Sequence, residues 1–325
     1  MSSHFLASGV YGCVYHPGFT CKGLSMKSKK WVSKLTYDDK IAKNEIEVGK
    51  RLKKCPNSPF VIVEQSCSIP YKALTKAKEC DAVKKGHPYR LLYSKYIPSK
   101  ELGVYLKEAS FSKVFRCYYH LCEIISTLIE YHIVHHDMHF GNVLYADNSK
   151  LKVIDFGLSI MVDQLDSPTY QRQVFSSYMP KWIWYPLEIH VITYCVNYGP
   201  LTTDRLEHLL YTYVEHLVQT FPMIHKGFRE KCLDFFIPWI GKDPIDYLCQ
   251  FWHTWDYYNL ALRFMYMNQI YGYKEFDKIL YEMIDPNPLN RPSVIQIRSH
   301  NHDMIRSFDL DRLSKIDSFP KELSL

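Results

Sequence analysis

The sequence predicts an α+β protein in which a small strand-rich lobe is followed by a larger helical lobe. Two observations lead to this fold class. Up to about residue 95, segments such as "GCVYHPG" and "KWVSKLTY" alternate apolar and polar residues, which is the period of a half-buried strand. From about Phe111 onward, apolar residues recur at the spacing of one helix face, beginning with "FSKVFRCYYHLCEIISTLIEYHIV". The hydrophobic fraction of 47% provides the core that such an architecture requires.

Each element of the first lobe follows from a local pattern. The stretch "HPGFTCKGLSMKSKK", with its glycines, serines and lysines, predicts a long exposed turn between the two strands. The segment "DDKIAKNEIEVGKRLKK" opens acidic and ends basic, which suits the dipole of a helix. A further strand is predicted at Leu91 to Tyr93, and the chain then crosses between the lobes near Lys95 to Pro98. We therefore place the lobes at residues 1–96 and 97–325.

Composition narrows the class of partner. The formal net charge of +6 is too small to predict nucleic-acid binding, although it is compatible with an anionic ligand. No run approaches the roughly 18 apolar residues of a membrane span. The ten cysteines form no CxxC pair, and the N-terminal residues do not resemble a secretory signal. We therefore expect reduced thiols in a cytoplasmic protein, with neither nucleic acid nor membrane among its partners.

One stretch, "VHHDMHFGNVLYADNSKLKVIDFG", carries residues suited to phosphate chemistry. Asp137 and Asn142 lie five residues apart, and Asp155 follows a predicted hairpin whose turn is "YADNS". Oxygen side chains of this kind suit Mg²⁺, which prefers a few carboxylates together with phosphate oxygens and water. The hairpin would bring Asn142 and Asp155 to one end, while Asp137 could position or deprotonate a hydroxyl. This arrangement is typical of phosphoryl transfer.

The same stretch resembles two motifs of the protein kinase family. "HHDMHFGN" resembles the catalytic loop H-R-D-L-x-x-x-N, and "DFG" resembles the metal-binding triplet. The resemblance implies a bilobal protein-kinase-like fold, with ATP and Mg²⁺ as cofactors and Mn²⁺ as an alternative metal. It also implies that His135 is a structural histidine, that Asp137 is the catalytic aspartate, and that Asn142 and Asp155 are the metal ligands.

Further family landmarks surround the expected nucleotide site. "ASGVYGCVYHPG" resembles the glycine-rich loop, with Gly9, Gly12 and Val14 at family positions and Ala7 where the first glycine is expected. Such glycines let backbone N–H groups approach phosphates closely. In "LLYSKYIPSKEL", which resembles the hinge, backbone groups would face adenine and a serine would guard the back pocket. The residues expected around the adenine are Val32, Ser94, Lys95, Tyr96, Ile97 and Leu144.

The phosphate-binding lysine of the family corresponds to Lys34 in "WVSK". Its partner should be a glutamate on the following helix, where "NEIEVGKRL" offers Glu45 and Glu47. The apolar residues that follow favour Glu45. Gly49 would then replace the bulky apolar residue that usually packs one turn on, which weakens the expected support of this helix.

Landmarks of the second lobe follow in the family order. "WYPLE" resembles a degenerate A-P-E with Glu188 at its glutamate, and "DPNPLNRPS" supplies Arg291 as the expected partner of Glu188. "WDYYNLAL" resembles the start of the family's central helix, with Asp256 as the buried aspartate that braces the catalytic loop. The resemblance therefore extends from Ala7 to about Ile297.

Three further features depart from the family pattern. His136 replaces an arginine, and His139 replaces the lysine that contacts the transferred phosphate in serine/threonine kinases. An insert at about residues 189–254 contains "TTDRLEHLLYTYVEHLVQTF", which predicts a capped amphipathic helix. The insert is either a docking surface or a set of extra helices packed on the larger lobe. Similar departures occur in kinases of large DNA viruses, which this chain resembles and which would place it in host cytoplasm or a virion.

The predicted function is that of a protein kinase. It would transfer the ATP γ-phosphate to serine or threonine hydroxyls of a protein substrate, with Asp137, Lys34, Glu45 and His139 as catalytic residues. A small-molecule kinase of the aminoglycoside type shares the H-x-D-x-x-x-x-N loop but not the D-F-G triplet. A pseudokinase that acts as a binding module is the other alternative, favoured by the residues at Ala7, Gly49 and His139.

Overall fold

The computed structural model describes residues 3–9, 12–21, 29–74, 80–81, 83–84, 86–224 and 227–307. The chain divides into two units. The first unit is Met1–Tyr105 with Phe140–Ser159, and the second unit is Leu106–His139 with Ile160–Leu325. Among the described helices, none has the length and apolar character needed to cross a membrane.

The strands and helices are numbered along the chain. The strands are β1 (His4–Gly9), β2 (Gly12–His16), β3 (Trp31–Tyr37), β4 (Gln65–Ile69), β5 (Tyr89–Lys95), β6 (Ser99–Glu101), β7 (Ile133–Val134), β8 (Val143–Ala146), β9 (Leu151–Val153) and β10 (Ile160–Met161). The helices are α1 (Lys40–Leu52), α2 (Leu102–Leu106), α3 (Phe111–Glu130), α4 (Pro168–Val174), α5 (Leu187–Tyr198), α6 (Thr203–Thr220), α7 (Gly227–Phe236), α8 (Ile245–Cys249), α9 (Trp255–Tyr271), α10 (Lys274–Met283) and α11 (Val294–Ser307).

The first unit contains a five-stranded antiparallel sheet with the order β1-β2-β3-β5-β4. Strand alternation brings Cys13, Tyr15, Leu35, Leu91 and Tyr93 into one buried cluster. The three predicted strands correspond to β2, β3 and β5, and helices dominate the second unit, so the predicted α+β class is confirmed. Residues 22–28 of the predicted turn lie outside the described residues.

Helix α1 begins where its sequence predicts. The carboxylate of Asp39 caps it by accepting from the N–H groups of Ile41 and Ala42, at 2.9 and 3.1 Å. The departure at Gly49 has a local explanation. A Cβ atom there would lie 3.3 Å from both the backbone nitrogen and oxygen of Val63, so glycine lets the helix backbone pack closely against that segment. Helix α1 is therefore supported by backbone packing where the family uses a bulky side chain.

The predicted hairpin around "YADNS" is confirmed. Strand β8 pairs with β9 on one side and with β6 on the other. This pairing places residues 97–105 and 140–159 in the first unit, whereas the sequence placed everything after residue 96 in the helical lobe. The difference arises because β6 and β8 are far apart in the chain, and local patterns do not reveal such pairing.

The second unit is built around α9. This helix is buried on all sides along most of its length, as expected for a helix at the centre of a core. The amphipathic helix predicted in the insert is α6, and the Thr202 hydroxyl caps it by accepting from the N–H of Arg205 at 3.4 Å. Helix α6 packs against α7, and α8 packs against α5. These contacts favour the interpretation that the insert adds packed helices to the unit.

The predicted ion pair between Glu188 and Arg291 is confirmed. The two guanidinium Nη atoms of Arg291 donate to the two carboxylate oxygens of Glu188, at 2.5 and 3.1 Å. Arg291 also donates to the Thr254 hydroxyl and to the Asp285 carbonyl, both at 2.9 Å. Because both side chains are almost fully buried, each charge depends on the other for compensation.

The expectation of reduced thiols is wrong for four of the ten cysteines. Disulfides join Cys13 to Cys80 and Cys21 to Cys67 within the first unit. Their partners are 67 and 46 residues apart, so the spacing of cysteines in the sequence could not reveal the pairs. Disulfides are typical of oxidising compartments, and the cytoplasmic location therefore loses the support that reduced thiols would have provided.

Loss of one disulfide is expected to destabilise the first unit. Removing a native disulfide typically costs about 2–5 kcal/mol of unfolding free energy. Cys21→Ser should therefore unfold at a lower urea concentration than the wild type under non-reducing conditions. Cys55→Ser is the control, because Cys55 is partly exposed and forms no disulfide. Equal midpoints for the wild type and Cys21→Ser, or peptide mapping that finds Cys21 and Cys67 as free thiols, would contradict the pairing.

Candidate active site

Lys34 lies between two carboxylates of the first unit. Its ammonium nitrogen is 2.9 Å from Glu45 Oε2 and 2.6 Å from Asp155 Oδ1. The three residues come from β3, α1 and the segment after β9, so the sheet and the helix both contribute to the cluster. Glu47 pairs instead with the exposed Lys50, at 2.6 Å. The preference for Glu45 as the partner of Lys34 is therefore confirmed.

The charge of Lys34 is held by this arrangement. Burial alone would lower the pKa of the ammonium group, but the negative charges of Glu45 and Asp155 outweigh burial and raise the pKa above its ordinary value. Lys34 is therefore a permanent cation at physiological pH, fixed beside the carboxylate of Asp155. A fixed cation of this kind can bind an anionic group such as a phosphate.

Asp155 and Asn142 flank the β8–β9 hairpin. The N–H of Ile154 donates to the carbonyl of Asn142 at 2.9 Å, which ties the two ends of the hairpin together. The backbone of Asp155 adopts φ +62°, a left-handed conformation that is uncommon for residues other than glycine and is enriched at functional sites. A carboxylate and an amide oxygen suit Mg²⁺ when phosphate oxygens and water complete its coordination, so these residues fit the predicted metal.

The glycine-rich hairpin is formed by β1 and β2. Ala7 pairs with Val14, and Gly9 pairs with Gly12, while the turn residues 10–11 lie outside the described residues. A Cβ atom on Gly12 would collide with the carbonyl oxygen of Leu35 on the neighbouring strand, so the sheet itself requires this glycine. Nothing lies within 4 Å of a Cβ atom built on Gly9. Of these two glycines, packing therefore requires Gly12 but not Gly9.

The segment predicted to be the hinge begins in β5 and continues to β6. The N–H of Tyr96 donates to the carbonyl of Lys30 at 2.8 Å and extends the sheet beyond β3 and β5. The Tyr96 N–H is therefore engaged within the sheet, and the contact of Tyr96 with adenine stays a prediction. Its ring stacks on His16 with the centroids 3.8 Å apart. Ser94 pairs with Val32 across the two strands, so both face the same region of the sheet.

The remaining residues expected around adenine also belong to the first unit. Lys95 is the last residue of β5 and pairs with Trp31. The carbonyl of Ile97 accepts from the Ser99 hydroxyl at 2.9 Å. Leu144 lies in β8, opposite residues of β6 and β9. Their contacts with adenine stay predictions.

Asp137 belongs to the second unit, and Asp256 braces the loop that carries it. The carboxylate of Asp256 accepts from the N–H groups of His135 and His136, at 2.6 and 2.9 Å, as the sequence predicted. The N–H of Asp137 donates to Nδ1 of the buried His135 at 3.3 Å. His139 Nε2 lies 3.7 Å from the carboxylate of Asp137, so a protonated His139 would supply a positive charge there.

His136 is a buried aromatic partner in place of a charged arginine. Its ring stacks on Tyr185, with centroids 4.2 Å apart and planes inclined by 15°. Burial lowers the pKa of His136 to about 3, so the ring is neutral at physiological pH. Its Nδ1 has no hydrogen-bond partner among the described residues, and its φ is +64°. His136 thus contacts the segment that contains Tyr185 by stacking rather than by charge.

Sequence reasoning missed Arg263 of α9. Its guanidinium lies over the ring of Trp184, 4.1 Å from the centroid, and its Nε donates to Asn259 at 3.0 Å. Burial lowers the pKa of Arg263 to about 10, while the negative charge of Asp137 opposes that shift. An arginine at this position of α9 matches no motif, so no sequence signal could have identified it as a cation influenced by Asp137.

The chain was compared with known protein families. A family model described as protein tyrosine and serine/threonine kinase matches residues 67–194, which is less than half of the chain. The matched region runs from β4 through the loop of Asp137 and the "DFG" triplet to α5, and it excludes Lys34 and Glu45. Among curated proteins, none matches the chain. The resemblance to kinases of large DNA viruses stays a prediction.

The buried histidines are expected to make stability depend on pH. Burial lowers the pKa of His136 to about 3 and that of His190 to about 4, whereas both would titrate near 6.5 in the unfolded chain. Below pH 6.5 the unfolded state therefore binds protons that the folded state does not. The free energy of unfolding should fall as pH is lowered from 6.5 to 5, with each group contributing at most about 1.4 kcal/mol per pH unit.

Urea unfolding at several pH values, with His136→Asn beside the wild type, tests this origin. In the variant, the slope of the unfolding free energy against pH should be smaller by the contribution of one titrating group. His208→Asn is the control, because His208 is exposed on α6. An unchanged slope in His136→Asn would mean that His136 is not buried in its neutral form.

Proposed function

We propose that this chain is a protein kinase that transfers the γ-phosphate of ATP to serine or threonine hydroxyls of proteins, and the match of residues 67–194 to a protein kinase family model supports the proposal. The observation that carries the proposal is the position of Lys34 between Glu45 and Asp155. A lysine paired with a helix glutamate is a requirement of active protein kinases, as is an aspartate that can hold the metal. The Lys34–Glu45 and Lys34–Asp155 contacts are both made by side chains of the first unit.

Each residue then has a distinct role. Lys34 would bind the α- and β-phosphates, and Asn142 with Asp155 would hold Mg²⁺, which supplies positive charge against the phosphate oxygens. Asp137 would orient the acceptor hydroxyl and accept its proton as the oxygen attacks the γ-phosphorus. Catalysis would depend mainly on positioning and on charge neutralisation, since phosphoryl transfer needs little covalent assistance from the protein.

Serine or threonine is proposed as the acceptor because of the loop around Asp137. His139 occupies the position at which serine/threonine kinases carry a lysine, and its Nε2 lies 3.7 Å from the carboxylate of Asp137. It could therefore donate to the transferred phosphate in the same way. A phosphorylation assay with serine, threonine and tyrosine versions of one peptide would establish the acceptor.

The structure also bears on the two alternative functions, a pseudokinase and an aminoglycoside-type kinase. Gly49 does not loosen α1, because its hydrogen atom allows close backbone packing against Val63. The pseudokinase interpretation therefore retains only Ala7 and His139 in its favour. The Glu188–Arg291 pair matches protein kinases rather than aminoglycoside-type enzymes, which lack the corresponding motif.

One assay separates all three functions. Mg²⁺-dependent ATP turnover would be measured with a generic protein substrate and, separately, with an aminoglycoside. Phosphate transfer to protein alone supports the proposal. Transfer to the aminoglycoside alone would overturn it in favour of a small-molecule kinase, and turnover with neither would favour a pseudokinase.

The role proposed for Asp137 predicts a loss of turnover when its carboxylate is removed. Asp137→Asn removes the base but keeps the shape of the side chain, so turnover should fall by about 10²- to 10⁴-fold, as expected for a positioned acid–base group. ATP affinity should change little, because Asp137 is not proposed to bind ATP. Asp147→Asn is the matched control, since Asp147 lies exposed in the β8–β9 turn. Retention of more than about a third of the wild-type rate by Asp137→Asn would remove the assigned role.

A second prediction concerns phosphorylation of the segment from Leu158 to Pro186. The neutral ring of His136 is packed on Tyr185 and cannot pair with a phosphate as an arginine would. Activity should therefore not require phosphate on the hydroxyls of this segment, which include Thr169, Tyr170, Ser176 and Ser177.

Phosphatase-treated and untreated protein should show similar turnover, with the phosphorylation state checked by mass spectrometry. The exposed Arg172 and Lys181 are the cations that could replace the missing arginine. A tenfold or larger loss on dephosphorylation, recovered when phosphate returns, would show that one of them does so.

A further inference from the structure

We infer that Asn44 is a positioning residue that holds the Asp155–Ser159 segment in the conformation needed for Mg²⁺-dependent nucleotide binding. The inference rests on the proposed function, because it assigns a role to the site already described. Asn44 touches neither Lys34 nor Asp155 through a described hydrogen bond. It acts through the backbone that follows Asp155.

The side-chain amide of Asn44 faces three carbonyl oxygens. Its nitrogen lies 2.7 Å from the carbonyl of Ser159, 3.1 Å from that of Gly157 and 3.4 Å from that of Phe156. A carbonyl oxygen can only accept, so the amide must present its nitrogen to this segment. Asn44 is also buried, which means that water does not substitute readily for these hydrogen bonds. One side chain therefore contacts three backbone carbonyls of the segment.

The neighbouring residue of α1 secures the other end of the same segment. The ammonium group of Lys34 donates to the carboxylate of Glu45 and to the carboxylate of Asp155. Two consecutive residues of α1 are thus connected to the segment, one through side-chain charges at Asp155 and one through backbone carbonyls up to Ser159. Helix α1 is thereby connected to both ends of the Asp155–Ser159 segment.

The segment approaches helix α1 closely at Gly157, where only a glycine fits. A Cβ atom on Gly157 would lie 2.6 Å from the Cγ2 methyl of Ile41, which is closer than real Cβ atoms approach. The φ of +62° at Asp155 is also an unfavourable backbone conformation that persists only where the surroundings hold it. The two N–H groups of the Asn44 amide, shared among these three carbonyls, act immediately after this strained residue. Their loss should let the backbone relax and move the Asp155 carboxylate.

Loss of the Asn44 hydrogen bonds should affect the metal dependence of nucleotide binding rather than nucleotide binding in general. Displacement of Asp155 would weaken the contribution of Mg²⁺ to ADP affinity. Affinity for ADP without metal depends on Lys34 and on the adenine contacts, so it should change little. A merely structural role for Asn44 would lower thermal stability without changing the ratio of the two affinities.

The test measures the dissociation constant of ADP with and without Mg²⁺, by calorimetry on the full chain. Asn44→Asp is nearly isosteric but places a carboxylate against three carbonyl oxygens. It should reduce the factor by which Mg²⁺ strengthens ADP binding by at least tenfold. Asn44→Ala removes the donor without adding charge, and it should reduce the effect severalfold. Asn44→Ala also serves as the second variant if the buried carboxylate of Asn44→Asp prevents folding.

Asn268→Ala is the matched control. Asn268 is a buried asparagine of the second unit, and its amide donates to the Tyr273 carbonyl at 2.8 Å and to the Asp277 carboxylate at 2.7 Å. This variant should lose thermal stability but keep the wild-type effect of Mg²⁺. A reduced effect of Mg²⁺ in both Asn44 variants, with the control unchanged, would support the inference.

Three results would overturn the inference, and they can be distinguished from one another. If the wild type binds ADP equally well with and without Mg²⁺, the proposed function fails, and the inference fails with it. If the wild type shows the effect and a folded Asn44 variant retains it within twofold, only the positioning role of Asn44 is refuted. An equal loss in Asn268→Ala would also refute it, because the effect would then follow general stability.

Discussion

The pairing of the partly buried Lys34 ammonium group with two carboxylates is the interaction on which the candidate site depends. A charge removed from water is costly unless opposite charges lie close to it, and Glu45 and Asp155 meet that requirement at 2.9 and 2.6 Å. The two carboxylates come from a helix and from the segment after a hairpin, so neither element can move away without leaving a charge uncompensated. The electrostatic requirement of one side chain thus constrains the position of three elements.

Two glycines of the first unit have packing explanations: Gly49, which departs from the kinase pattern, and Gly12, which matches it. Gly49 permits a close approach of backbones, and Gly12 avoids a collision with the Leu35 carbonyl. At both positions a side chain is limited by neighbouring backbone, which cannot yield as a side chain can. Departures of this kind change how an element is supported without removing a chemical group from the site.

In the second unit, buried acids serve the architecture. Asp256 accepts two backbone N–H groups and thereby holds the loop of Asp137, and Glu188 compensates the buried Arg291. Because such carboxylates are satisfied by fixed donors, they have little freedom to take part in chemistry. The neutral His136 extends the same principle, since its stacking on Tyr185 replaces a charged contact with an aromatic one.

The sequence by itself determined the fold class, the hairpin and the motif residues, because these depend on local periodicity and on short spacings. It also selected Glu45 and anticipated the Glu188–Arg291 pair through the resemblance to protein kinases. Only the tertiary structure decided the disulfides, the membership of β6 and β8 in the first unit, and the use of the Tyr96 N–H within the sheet. The three carbonyls that face Asn44 likewise come from residues more than a hundred positions further along the chain. Each of these features depends on which distant segments become neighbours, and that information lies in long-range packing rather than in any local pattern.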